Sequence, residues 1–177
     1  MAVNQKKKIM MAFGKLITKI VHSSQPIANN MATTGFELLT TNLYMRVTTY
    51  TDGGARGNPG PAALGVVIKD SSGATIAGYG KYLGEQTNNF AEYSALISAL
   101  EKAKELGATE VDCVLDSELV TKQMNRQYKV KEPTLQKLFI QAFNLTTQFK
   151  KVTFRHTLRA NNKEADAWVN KALDEQI

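Results

Sequence analysis

The chain of 177 residues has one cysteine, one tryptophan, two histidines and four prolines. A lone cysteine excludes an internal disulfide framework and a zinc site built on several thiolates. Cys113 lies in Val111-Asp112-Cys113-Val114-Leu115, which reads as a buried strand, so it is assigned to the core. A reducing compartment is compatible with this, and the expected location is the cytoplasm. No apolar run is long enough to span a bilayer. One-sided charge is also missing where the chain looks globular. The formal net charge is +6, but Lys6, Lys7, Lys8, Lys15 and Lys19 against Glu37 give residues 1–44 a charge of +4. Residues 45–177 are left with +2, a balance that does not by itself indicate a nucleic-acid partner.

Residues 1–44 form a separate compositional unit. Ile9, Met10, Phe13, Leu16, Ile17, Ile20 and Val21 recur at helical spacing between lysines, and a polar stretch without periodicity follows. The expectation is a basic extension, disordered or partly helical. A membrane-surface helix, a phosphate-touching arm and an organellar presequence are alternatives. The interrupting lysines disfavour a secretory signal. Residues 45–177 are expected to form one separate folded domain.

That domain is long enough for one core. The β-branched run Val47-Thr48-Thr49-Tyr50-Thr51 predicts a strand over about 46–52. It leads to Asp52 and then to a loop rich in glycine and proline through Pro61. Further strands are predicted at Ala63–Lys69 and Thr75–Leu83, completing an antiparallel meander. Thr87-Asn88-Asn89 supplies caps for a long helix burying Leu96, Ala99, Leu100 and Ala103. Strand four is Val111–Leu115, and Asp116-Ser117 begins a short helix. Pro133 opens another helix, with Leu135, Leu138, Phe139, Ala142 and Leu145 on one stripe. Strand five is Val152–Arg155. Asn161 and Glu164 have the spacing of a capping box before the last helix, where Trp168 reads as core. The order predicts an α/β domain with a mixed five-stranded sheet, three antiparallel hairpin strands plus two more, flanked by helices.

Four acids fall at element ends: Asp52, Glu92, Asp116 and Asp166. Each is on or near a core-facing surface, where an unpaired carboxylate is costly. A cap or a helix dipole accounts for one such acid. Four, with no basic partner evident beside them in sequence, point to a cation, and oxygen-only ligands favour Mg²⁺ or Mn²⁺ over zinc.

Thr51-Asp52-Gly53-Gly54 with Arg56-Gly57-Asn58-Pro59-Gly60-Pro61, Thr87-Asn88-Asn89 with Ala91-Glu92-Tyr93, Asp116-Ser117-Glu118-Leu119-Val120, His156, and Asn162-Lys163-Glu164-Ala165-Asp166 closely resemble type 1 ribonuclease H. The resemblance covers about 46–174, is strongest to the compact archaeal-like branch, and implies the ribonuclease H-like fold. Little room remains between Asp116 and Asp166 for the extra basic helix that some members use as a substrate handle. The resemblance implies hydrolysis of the RNA strand of RNA–DNA hybrids, with 5′-phosphate and 3′-hydroxyl products. It implies two divalent ions, Mg²⁺ with Mn²⁺ as a substitute, held by Asp52, Glu92, Asp116 and Asp166, with His156 assisting proton transfer or product release. It assigns substrate contacts to Gly53, Asn58, Thr87, Asn88, Asn89, Ser117 and Asn162. Thr87 and Ser117 equally suit helix caps, and His156 equally suits a strand-end bond to backbone.

Lys122, Arg126, Lys129 and Lys131 form a basic run that is either a solvated face or a phosphate track. The expected partner is an RNA–DNA hybrid, with double-stranded RNA as a side substrate, and the expected form is a monomer. Two other readings share the fold: a nucleic-acid-binding module without catalysis, and a nuclease acting on DNA junctions or double-stranded RNA.

Overall fold

β1 (Arg46–Ala55) is the middle strand of a five-stranded sheet in a computed structural model whose described residues are 45–177. The expectations for 1–44 lie outside the described residues. The strand order is β3-β2-β1-β4-β5. β2 (Gly60–Lys69) and β3 (Thr75–Gln86) continue antiparallel from β1, whereas β4 (Glu110–Leu115) and β5 (Lys151–His156) run parallel to it. The mixed five-stranded sheet expected from the sequence is therefore present. The hairpin ladder reaches further into the glycine-rich stretch than expected. Gly53, Gly54 and Ala55 remain in β1, and Arg56 N–H donates to the Pro61 carbonyl at 2.8 Å.

The connections form α1 (Asn88–Glu105), α2 (Glu118–Met124), α3 (Pro133–Thr146) and α4 (Lys163–Glu175). β2 is buried along most of its length because both of its faces are covered. On one face Val47, Leu64, Val66 and Ile68 join Leu96 and Leu100 of α1 in the main core. On the other, Ala63 packs with Val169, Ala172 and Leu173 of α4. α3 adds Leu135 and Ala142 to the main core. Leu138, Phe139 and Leu145 of its predicted stripe are only partly buried.

Two of the three expected side-chain caps form as predicted. Thr87 Oγ1 accepts from Phe90 N–H at 3.3 Å, and Ser117 Oγ accepts from Val120 N–H at 3.3 Å. The third does not. Asn161 belongs to a 3₁₀ turn (Arg159–Asn161), and α4 is capped at Asn162 without a side-chain cap bond. Glu164 pairs instead with Lys69 at 2.5 Å, which breaks the expected capping box.

Trp168 is also corrected: it is half-buried rather than core. A Cβ at Gly78 would crowd its Nε1, and one at Gly80 would overlap its carbonyl oxygen. The indole thus fills the strip left bare by β3, and Lys171 Nζ lies 5.1 Å from its ring centroid. Cys113 is buried, as expected. Among the described residues no helix is long and apolar enough to cross a membrane.

Candidate active site

Parallel pairing of β1 with β4 ends at Thr51 opposite Leu115, and Asp52 and Asp116 are the next residue on each strand. Asp52 stays within β1 and Asp116 lies just past β4, so both carboxylates are set where the parallel pairing stops and the sheet opens toward ligands. Two glycines bring the neighbouring helices in. A Cβ at Gly53 would overlap the backbone of Ala91 and Glu92, so α1 touches β1 there and sets Glu92 beside Asp52. Gly65, the partner of Asp52 across β2, would with a Cβ overlap the Ala165 carbonyl of α4. Gly53, expected as a substrate contact, acts here as a packing contact that positions Glu92.

One carboxylate oxygen each from Asp52, Glu92 and Asp116 lies within 4.8 Å of the others. Asp52 Oδ2, Glu92 Oε2 and Asp116 Oδ1 are buried and have no hydrogen-bond partner. Burial, then the charge of Asp116, pushes the Asp52 carboxyl up to about 7. Burial, then Asp116 and Asp52, hold Glu92 well above the ordinary carboxylate range. Burial also raises Asp116. Three acids crowded at the cost of both desolvation and mutual repulsion fit a hard divalent cation, which relieves both.

Asp166, expected to hold the ions together with these three, lies outside this group. Its Oδ1 accepts from Arg159 Nε at 3.1 Å and Nη2 at 2.5 Å, and its Oδ2 accepts from Asn170 Nδ2 at 3.0 Å. Arg159 is the basic partner that the sequence reading missed. It stands seven residues before Asp166 across a 3₁₀ turn, a relation that no helical or strand periodicity exposes.

His156, the last residue of β5, is exposed and its Nε2 donates to the Asp116 carbonyl at 3.1 Å. It therefore has the backbone bond of the alternative reading, made to the residue that carries one of the three converging carboxylates. Asn162 is buried, and its Nδ2 donates to the Thr51 carbonyl at 2.8 Å. It ties the start of α4 to β1 just before Asp52, which makes it a positioning residue rather than an open contact surface. Asn58 and Asn88 are exposed and linked: Asn58 Oδ1 accepts from Asn88 N–H at 3.1 Å, and Asn88 Oδ1 accepts from Ala55 N–H at 2.7 Å. The glycine-rich turn is thereby tied to the start of α1, with exposed Asn89 next in line. In the basic run, Lys122 pairs with Glu118 at 2.6 Å and Arg126 lies 4.9 Å from the Phe143 ring centroid. Lys129 and Lys131 are exposed.

The reverse transcriptase-like family matches residues 50–172. Ribonuclease HI of Halobacterium salinarum is 43% identical over 130 residues, covering 73% of this chain and 65% of that protein. The bifunctional protein Rv2228c of Mycobacterium tuberculosis is 44% identical over 131 residues, 73% of this chain. The match spans only 36% of the mycobacterial protein's length. Among solved structures, Halobacterium salinarum RNase H1 superposes with a TM-score of 0.72 at 43% identity, covering 73% of this chain and 98% of that one. LC11-RNase H1 in complex with an RNA/DNA hybrid gives 0.71 at 46% identity, covering 73% and 98%. The two structural likenesses extend over nearly the whole of the compared solved chains and agree with the mixed five-stranded sheet, so the chain belongs to the type 1 ribonuclease H family.

Proposed function

We propose that residues 45–177 form a metal-dependent endonuclease that hydrolyses the RNA strand of RNA–DNA hybrids, giving 5′-phosphate and 3′-hydroxyl ends. One observation carries the reading: three carboxylates, each with a buried and unpartnered oxygen, converge within 4.8 Å where the pairing of β1 with β4 stops. Asp52, Glu92 and Asp116, joined by Asp166, would hold two divalent ions, Mg²⁺ or Mn²⁺. When bound, such ions activate an attacking water and offset charge on the phosphate and leaving oxygen.

The chain's own groups supply the rest. With its Nε2–H committed to the Asp116 carbonyl, exposed His156 has Nδ1 as its proton acceptor. It is suited to moving a proton or easing product departure. Asn58 and Asn88 each use the side-chain oxygen internally, so each exposed amide has its NH₂ group to offer. Such donors, with Asn89, suit the 2′-hydroxyls and base edges of a hybrid's minor groove. The solved LC11-RNase H1 complex with an RNA/DNA hybrid supports that substrate class. Lys129 and Lys131 suit phosphates, which position the duplex without reading its sequence. Double-stranded RNA is the expected side substrate.

The test labels each strand of one hybrid in turn and compares it with double-stranded RNA and double-stranded DNA, with Mg²⁺ and with excess EDTA. RNA-strand products that need Mg²⁺ are expected. DNA-strand products, or equal products in EDTA, would overturn the reading.

A further inference from the structure

Of the four acids, Asp166 is the one whose two oxygens are both occupied. Arg159 gives Oδ1 two hydrogen bonds, and Asn170 gives Oδ2 a third. The three remaining acids converge with unpartnered oxygens, and Asp166 is not among them. The Arg159 charge also reaches those three, lowering the proton affinity of Asp52, Glu92 and Asp116 against the effect of burial.

The anchoring of Arg159 is uneven. Its backbone sits in a turn fixed by Asn161 N–H to the Leu158 carbonyl at 2.8 Å and Asn162 N–H to the Arg159 carbonyl at 2.9 Å. Asn162 is itself pinned to Thr51. The Arg159 side chain, in contrast, is 75% exposed, against 28% for Asp166. A guanidinium on a fixed backbone with its head in water can leave its partner at small cost, since exposed ion pairs contribute little.

We infer that Arg159 is the resident counter-cation of this centre: it holds Asp166 apart from the Asp52–Glu92–Asp116 group and competes with a divalent ion for that carboxylate. Three acids are thus ready for an ion, and the fourth is recruited only when Arg159 lets go. The inference rests on the reading of these acids as metal ligands. A purely structural ion pair would leave metal affinity untouched, and this difference makes the two roles separable.

Isothermal titration of Mn²⁺ into the full chain tests it, using wild type, Arg159→Gln, Asp166→Asn and the double variant. Melting curves check that each is folded, and Arg159→Lys retains the charge without the fork. Arg159→Gln should bind Mn²⁺ about two- to fivefold more tightly, the range an exposed ion pair supports. Arg159→Lys should fall between it and wild type. In the Asp166→Asn background the same Arg159 change should have a smaller effect, the part its charge exerts on the other three acids. Unchanged or weaker binding in Arg159→Gln would overturn the inference and leave the metal assignment standing. An equal gain in both backgrounds would also overturn it, because the charge would then act on the other three acids and not through Asp166. Absence of Mn²⁺ binding to wild type would overturn the metal assignment itself, and this inference with it.

Discussion

Gly53 and Glu92 meet backbone to backbone: the space a Cβ on Gly53 would need is filled by the Glu92 amide nitrogen and the Ala91 carbonyl. Neither atom is the end of a flexible side chain, so α1 itself must move to make room. Gly53→Ala should cost about 2 kcal/mol or more, the scale of overpacking in a closed site. It should also move Glu92 off Asp52 and weaken divalent binding. Gly73→Ala is the control. Gly73 has φ +86° but nothing within 4 Å, so only the backbone penalty of about 1 kcal/mol applies. Denaturant midpoints at constant slope would rank the two, and equal losses would refute the close-approach account.

Asp52→Asn should abolish cleavage in saturating Mg²⁺ while raising the melting temperature in EDTA. The raised pKa fixes the sign. Between 3.8 and about 7, folded Asp52 retains a proton that the unfolded chain has released. Its contribution to stability is therefore present below that window and is lost as pH climbs through it. Asparagine does not titrate. The melting advantage of the variant should grow from about pH 4 to about pH 7 and level off above. Melting curves across that range check it, and a difference independent of pH would show that Asp52 is not held against its charge.

Asn88 and Asn89 should separate in a way their adjacency hides. Asn88→Ala leaves the Ala55 N–H without its 2.7 Å acceptor, a loss of about 1 kcal/mol. Asn89 is exposed and, among the described residues, its side chain has no such tie. Asn89→Ala should shift stability by less than about 0.5 kcal/mol. Its effect should appear instead in the rate on hybrid or in discrimination against DNA. Thermal melts beside hybrid-cleavage kinetics distinguish the two, and a large stability loss in Asn89→Ala would assign it to the scaffold.

Residues 45–177 expressed alone should fold and cleave, since both faces of the sheet are covered from within this range. Hybrid affinity should fall at low salt, because five lysines leave with 1–44. Circular dichroism and a salt series on the shortened chain check both halves of this expectation.

The parts of the site that could be read from the sequence were those written in local chemistry. Asp52 and Asp116 each end a strand-forming run, and Thr87 and Ser117 precede helical periods that they cap. What escaped is long-range. Gly53 reads as part of a glycine-rich loop and Gly65 falls unremarked inside a predicted strand, yet each is a gap cut for a helix that arrives later in the chain. Asn162 looked like one polar residue in a motif, but its bond to Thr51 joins positions 111 residues apart. Arg159 and Asp166 meet across a turn that periodicity does not describe. Asn161 and Glu164 had the right spacing for a cap, but Glu164 instead reaches Lys69 on β2.

The sheet order also governs when the site can exist. β1 can zip to β2 through a tight turn, but it meets β4 only after a much longer loop has closed, and Asp52 and Asp116 are 64 residues apart in sequence. The hairpin is the faster event, since local pairing precedes distant pairing. Repulsion between Asp52 and Asp116 therefore arises only as the parallel pair docks, after the hairpin has formed, and leaves that first step unburdened. Neutralising Asp52 should slow the unfolding limb of a chevron more than it speeds the folding limb. The chain carries its electrostatic strain where it loosens the finished protein rather than where it would hinder its formation.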